Sequence, residues 1–525
     1  MESIRLTTNY IPSDEEIKDI RLDIISRSEE LARLNERIRK LSAERDEIQA
    51  YIDSQKALIS HPRRLPADIV QEIFIACLPT TRNAVMSAKE APLLLCRICS
   101  AWRTIALSAP RLWASLHVPY DFILPKESRI SAVAQWLHRS AACPISMSVC
   151  DGPLWDWDSQ GLPTTAKKDL TRSICAVAHR WRHAKFYTMP VEMAHELRGI
   201  KSSLLESVEF SGNIPTPTDL QFLQVPSLRA VTLRLDDLDD LEPFNAVLMI
   251  PLMWERLQHL TITGIFFSHF ISLLGRCPQL ISIHVTPIID DVSALAPNGH
   301  TESNLPFLAS FVIPSEFSSR FLAPRSLNHL ISYVSMPQLR HFTVPAAPCQ
   351  YEAQNSFFLA TLGKKSPLVE DLTIYISSLT AQSLPETLPA FSSLARLVVF
   401  DIDTWPWDHD GFQSCTVTLL LTILSHSSAC PMLQELVVHE CSSLDSKSTL
   451  DRFVRQRMEC VPRLRRLDIL FGLSWTESQV SSLMSETEIQ SCLVQGLDIT
   501  LRCQNTTPWV ANPPDPWIGL WPEDV

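Results

Sequence analysis

Between residues 13 and 60 apolar side chains return every three and four positions, and neither glycine nor proline interrupts the pattern. Written as a heptad, the a positions are Ile17, Ile24, Leu31, Ile38, Arg45, Ile52 and Ile59. The d positions are Ile20, Arg27, Leu34, Leu41, Ile48 and Gln55. All but Arg27, Arg45 and Gln55 are Ile or Leu, which is the narrow stripe of a coiled-coil helix rather than the broader face of a globular one. Ser13 and Glu16, just after Pro12, have the spacing of a capping box. At 1.5 Å per residue the predicted rod is roughly 70 Å long. Flanking g and e positions pair poorly (Asp23 with Ser28, Glu30 with Asn35, Arg37 with Ser42), so charge does not specify a parallel pair. Residues 13–60 therefore predict a rod that self-associates or captures a partner, or one that folds back along its own protein.

A second period begins near residue 200. The unit Pro-x-Leu-x-x-Leu-x-Val runs from Pro226 through Leu228, Val231 and Leu233, and recurs with its first apolar residue at Leu205, Leu257, Leu280, Leu308, Leu339, Val369, Leu394, Leu433, Leu464 and Val494. The mean step is about 29 residues. Apolar spacing of +3 then +2 describes a short strand entered from a turn, and helical patterns lie between copies, as at 266–276 and 416–428. One strand and one helix per unit predict a stacked α/β solenoid. Upstream, helices at 131–139 and 168–182 and strands at 145–149 and 184–187 start the array. Residues 506–525 are rich in Pro and Trp without a period, and read as a cap over the last repeat or a short linear motif.

Residues 61–118 carry the most specific signal. Leu65-Pro66 opens a helix with Ile69, Val70, Ile73 and Phe74; Ile98, Cys99, Trp102 and Arg103 follow, then Pro110, Leu112 and Trp113. This order and spacing resemble the F-box, with a longer spacer at 79–92 than the family's short link and Ile98 for its commoner Val. The resemblance implies a three-helix module that docks the Skp adaptor of SCF ubiquitin ligases and, through it, a cullin. It implies adaptor contacts at Leu65, Pro66, Ile69, Val70, Ile73, Phe74, Ile98, Cys99 and Trp102. A unit of about fifty residues buries too little surface to be comfortable alone, which fits an apolar face left for a partner. The downstream copies resemble leucine-rich repeats, although the Asn or Cys that follows the family's strand is nearly absent; only the copy from Leu433 through Cys441 to Leu444 fits fully. The order coil, F-box, degenerate repeat resembles the large F-box families of mushroom-forming fungi. The expected organisation is α + α/β: a coiled-coil helix at 1–60, an F-box at 61–118, a leucine-rich-repeat-like solenoid at 119–505 and the tail.

Composition narrows the function. The 525 residues carry a net charge of −12, which disfavours a general nucleic-acid partner. Twelve glycines leave little room for phosphate-cradling loops; Gly363-Lys364-Lys365-Ser366 lacks the upstream glycine of one. Cys96-x-x-Cys99 has zinc-like spacing without a second pair. Asp401 and Asp403 with Asp408, His409 and Asp410 read as a solvated loop before they read as a cation site, and the acidic run from Asp236 to Glu242 reads as a solvated face. No apolar run spans a bilayer, no apolar segment follows Met1, and the fourteen cysteines read as free thiols, so the expected location is cytoplasmic, nuclear or both. No catalytic set, cofactor or metal is expected. What remains is recognition of an unknown protein target by residues between the apolar positions of the strands, with Arg340, His341, Arg396, Glu435, His439 and Arg465 as candidates. The expected role is the substrate-recognition subunit of an SCF-type ligase; the alternative is a non-catalytic scaffold whose F-box acts outside ubiquitination.

Overall fold

The computed structural model describes residues 10–59, 61–120, 127–150, 164–211, 215–234, 244–288, 303–313, 324–344, 358–376, 381, 383–401, 415–426, 428–442, 444, 447–460, 463–472 and 475–503. The tail at 506–525, the acidic run from Asp236 to Glu242 and the carboxylates at Asp403, Asp408 and Asp410 lie outside them. The chain divides into two compact units, Met1–Ala76 and Cys77–Val525.

In the first unit, α1 (Asp14–Leu58) is one helix of 45 residues. Its start is fixed by the capping box: the Ser13 backbone N–H donates to Glu16 Oε2 at 2.9 Å, and the Glu16 N–H donates to Ser13 Oγ at 3.4 Å. Asp14, Glu15 and Glu16 in the first turn and Lys56 in the last complement the helix dipole. The Ile and Leu residues of the seam from Ile20 to Ile59 are 39–73% exposed. After a single helical turn at His61–Arg64, the unit ends with α2 (Ala67–Ala76).

The second unit opens with two short helices, α3 (Leu95–Ile98) and α4 (Ser100–Leu107). Among the described residues a parallel sheet of fourteen strands follows, in strict chain order. Its strands are β1 (Ser115–Pro119), β2 (Ile145–Cys150), β3 (Trp181–Thr188), β4 (Ser207–Ser211), β5 (Ala230–Arg234), β6 (His259–Phe266) and β7 (Ser282–Ile288). They continue with β8 (Ser310–Val312), β9 (His341–Val344), β10 (Asp371–Tyr375), β11 (Arg396–Phe400), β12 (Glu435–Cys441), β13 (Arg466–Phe471) and β14 (Asp498–Cys503). Among the described residues helices or helical turns link most successive strands, as Phe267–Leu274 links β6 to β7 and Val417–Leu424 links β11 to β12. This is an α/β repeat array, as the period predicts.

Every copy predicted from Leu205 to Leu464 enters its strand two residues after its first apolar residue. The last copy is the exception and a correction. Val494 is 88% exposed at the end of the helix Thr487–Val494, and β14 instead buries Ile499. A Gln495-Gly496 turn, with Gly496 at φ 95°, displaces the strand by two residues. Strand β1 begins inside the stretch assigned to the F-box and ends one residue beyond it, so that stretch and the array share an element.

Two features hold the array without the missing Asn. One is the core row Leu116, Met147, Ala184, Val208, Val231, Leu260, Ile283, Phe311, Phe342, Leu372, Leu397, Leu436, Leu467 and Ile499, one buried apolar residue per strand in continuous register. Within the core Phe186 stacks on Phe210 at 5.2 Å and Phe311 on Phe342 at 5.6 Å. The other is a backbone spine. Two successive N–H groups entering each strand from β5 to β13 converge on one carbonyl of the preceding copy, as Arg229 and Ala230 do on Glu206 O at 2.8 and 3.0 Å. The same bonds recur from Gln258 and His259 to Arg229 O and onward to Arg465 and Arg466 on Gln434 O. Backbone bonding thus sets the register whatever side chain follows the strand.

Candidate functional site

The F-box-like stretch sorts its apolar residues by exposure. On α2, Val70 and Phe74 are 3% and 0% exposed, while Ile69 and Ile73, one turn apart, are 46% and 44% exposed; Leu65 and Pro66 before them are exposed too. Val70 and Phe74, expected above among the adaptor contacts, are buried in the single chain, on the packing side of the helix. On the second unit, Ile98 is 54% exposed, Cys99 is exposed and Trp102 is half-buried. Cys99 caps α4, its sulfur accepting the Trp102 N–H at 3.5 Å where Ser or Thr would be usual. Arg103 Nε donates to Cys96 O at 2.7 Å and ties α4 to α3. The Pro110–Trp113 turn faces inward. Buried Trp113 donates from Nε1 to Ala106 O at 2.9 Å, meets Trp136 edge to face at 4.9 Å and carries the Arg139 guanidinium over its ring at 4.7 Å.

On the strands, residues between the buried ones share the open face of the sheet. The leading row there changes character along the array. From β1 to β8 it reads Ser115, Ser146, His183, Ser207, Ala230, His259, Ser282 and Ser310. From β9 to β14 it reads His341, Asp371, Arg396, Glu435, Arg466 and Asp498. The second run alternates in sign. Arg396 lies 3.1 Å from Asp371 and 3.2 Å from Glu435, Arg466 lies 3.3 Å from Glu435, and His341 lies 3.7 Å from Asp371. Arg340 pairs with Glu370, and Arg465 is exposed just before β13. Beyond this ladder on the same face, Tyr375, Phe400 and His439 stack in register at 5.1 and 4.7 Å. Burial holds the His439 imidazole below its ordinary range. Asp468, nearly buried, receives Arg466 at 3.1 Å and Arg502 at 3.2 Å. The structure thus brings His341, Arg396, Glu435 and His439 onto one face. Sequence reasoning passed over Arg466, Tyr375 and Phe400; aligning the copies two and six residues after their first apolar position shows all three.

At the other end of the array, residues 79–83 and the open face of β1–β5 line a polar cavity of about 420 Å³ that is open to solvent. The covering segment is anchored. Asn83 Oδ1 accepts from Ser115 Oγ at 3.0 Å and Ser146 Oγ at 2.7 Å, and Ala84 O accepts the His117 N–H at 2.8 Å. Arg82 donates to both oxygens of Glu90, at 3.1 and 2.6 Å. Inside are Thr80, Thr81, Arg82, Ser148, His183, Lys185, Glu209 and Thr232, with Lys185 3.0 Å from Glu209. His117, beside Ser148 at 2.9 Å, is lowered to about 4 by burial first and then by the charges of Arg82 and Lys185. Hydroxyl–imidazole contacts also join His183 to Ser207 and His259 to Ser282, each at 2.7 Å. Their repetition by register marks them as cross-strand pairs rather than one nucleophile with its base. Lined by hydroxyls, two cations and one carboxylate, the cavity suits a polar peptide group or side chain.

Other candidate chemistry resolves into packing. Gly363 lies inside the helix Phe358–Lys365, and Lys365 Nζ donates to Ile331 O at 2.9 Å and Ser332 O at 2.8 Å. Burial pushes the thiols of Cys175, Cys277, Cys415 and Cys430 up to about 12, far from thiolate reactivity. Asp401 is buried and accepts the Ser442 N–H at 2.8 Å. Among the described residues no group of three or more His, Cys, Asp or Glu is placed to hold a metal, and no helix is long and apolar enough to cross a membrane.

No protein-family model matches the sequence, and no curated protein matches it. Among solved structures, the leucine-rich repeat-containing protein LegL7 from Legionella pneumophila aligns with 55% of this chain and 93% of its own, at 11% identity and a TM-score of 0.30.

Proposed function

We propose that this chain is the substrate-recognition subunit of an SCF-type ubiquitin ligase. Its F-box-like stretch docks a Skp-type adaptor, and the open face of its sheet holds a protein target. The observation that supports the docking half best is the division on α2. Val70 and Phe74 are buried, while Ile69 and Ile73, with Leu65 ahead of them, leave a row of large apolar side chains in water. Isolated exposed leucines are ordinary, but a row at helical spacing within a matching motif is what helix-in-groove recognition uses. The target half is supported by the charged and aromatic rows of β9–β14 and by the polar cavity over β1–β5. The chain's own residues then supply no bond-making step: the target is held near a ubiquitin-charged enzyme, and rate comes from effective concentration.

Co-purification from cells tests this. Wild-type chain should bring down the adaptor and a cullin. Ile69→Asp/Ile73→Asp should lose both while remaining folded, and Arg396→Glu should keep both. A folded wild type that captures neither contradicts the proposal and leaves a repeat scaffold acting outside ubiquitination.

A further inference from the structure

The long spacer at 79–92 builds part of a socket. Residues 79–83 stand as a wall over the open face of β1–β5, and wall and floor together line the cavity of about 420 Å³. That volume lies in the range of ligand clefts, about 300–1,000 Å³. The wall is held from both sides. Asn83 Oδ1 accepts from hydroxyls of β1 and β2, while Glu90 receives Arg82 on both oxygens and accepts the Val85 N–H at 2.9 Å. A wall fixed in this way leaves little ordering for a ligand to impose.

The charge of the socket is unbalanced. Along β9–β13 cations and carboxylates alternate and pair with one another. In the cavity Glu209 is the one carboxylate among the lining residues, and two cations meet it: Lys185 at 3.0 Å and, from outside the lining, Arg234 at 3.3 Å. Arg82 adds another cation from the wall, and its partner Glu90 stands outside the lining. Arg82 and Lys185 both oppose protonation of His117, so their charge reaches one region of the floor from two directions. Ser148, 2.9 Å from the His117 ring, places a hydroxyl there, and Thr80 and Thr81 add two from the wall. A chain of net charge −12 thus keeps a local excess of positive charge in a concave site rich in donors, which complements an anion.

We propose that this cavity binds one anionic side chain of the target, a carboxylate or a phosphate, between Arg82 and Lys185. The inference rests on the reading of the open face as the target-holding face, and not on adaptor docking.

Saturation-transfer NMR on the full-length chain tests it with three small probes. These are N-acetyl-glutamate amide, N-acetyl-phosphoserine amide and, as the neutral control, N-acetyl-glutamine amide. The expected result is binding of at least one anionic probe, and none of the control, at up to about 10 mM, a range suited to ligands of this size. Which anionic probe binds distinguishes carboxylate from phosphate. Lys185→Gln should weaken binding roughly tenfold, the loss of one charge-assisted contact. Glu209→Gln should strengthen it roughly threefold or more, because the carboxylate that competes for Lys185 is gone; misfolding cannot produce such a gain. No binding of either anionic probe to folded wild type, equal binding of the control, or anion binding that neither variant alters would each overturn the proposal. Adaptor capture is read separately by co-purification, so failure here leaves the docking half of the ligase reading standing.

Discussion

Gly363 shows how much one residue carries. A Cβ built there meets Ala390 Cβ at 2.8 Å and Ala390 backbone at 3.1 Å. Gly363 is a close-packing contact between the helix Phe358–Lys365 and the helical turn Leu388–Ala390, not part of a phosphate loop. Gly363→Ala is expected to lower stability by about 1–3 kcal/mol in denaturant titration, because overpacking outweighs the gain in helix propensity. His117 makes a pH prediction. Its folded value of about 4 lies below its ordinary 6.5, so the unfolded chain binds the proton more readily. The stability this contributes is full above pH 6.5 and is lost as pH falls from 6.5 toward 4, by about 3 kcal/mol at most. Melting temperatures followed from pH 7 to pH 4 should fall less steeply in His117→Asn than in wild type; equal slopes would remove His117 from the account.

At the scale of the element, the charged ladder of β9–β13 is a row of half-exposed ion pairs, each contributing about 0–1 kcal/mol to stability. Arg396→Ala should therefore change the denaturation midpoint little while weakening capture of the target; a large stability loss would make the ladder structural instead. The strands themselves were legible because each copy repeats the same buried pair, as Val231 and Leu233 do in β5. Strand β1 was not, because Ser-Leu-His-Val-Pro follows the Trp113 motif without a preceding proline unit. The packing of 79–92 was hidden for another reason. Asn83 reaches Ser146 across 63 residues, and no local pattern encodes such a contact. The division of α2 was half legible: helical spacing puts Ile69 with Ile73 and Val70 with Phe74, but only the fold says which pair is buried. The surface pairs of the ladder depend on register between copies some thirty residues apart, so they emerge only when the copies are aligned in columns.

On the scale of the whole molecule, a sheet in strict chain order means that each copy leans chiefly on its neighbours. Phe311→Ala removes a ring stacked between copies and should cost about 3–5 kcal/mol. Hydrogen exchange should show protection lost around β7–β10 with β1–β3 and β13–β14 little changed; a uniform loss would mean that the array unfolds as a single cooperative block. The same architecture suits a receptor, since the array offers a long open face while the F-box-like stretch contributes an exposed apolar row of its own. The most direct test of that reading is titration calorimetry of the purified full-length chain against a purified Skp-type adaptor. The account predicts a one-to-one complex that Ile69→Asp/Ile73→Asp abolishes without changing the circular dichroism spectrum. Absence of heat and of co-elution with folded wild-type chain would contradict it.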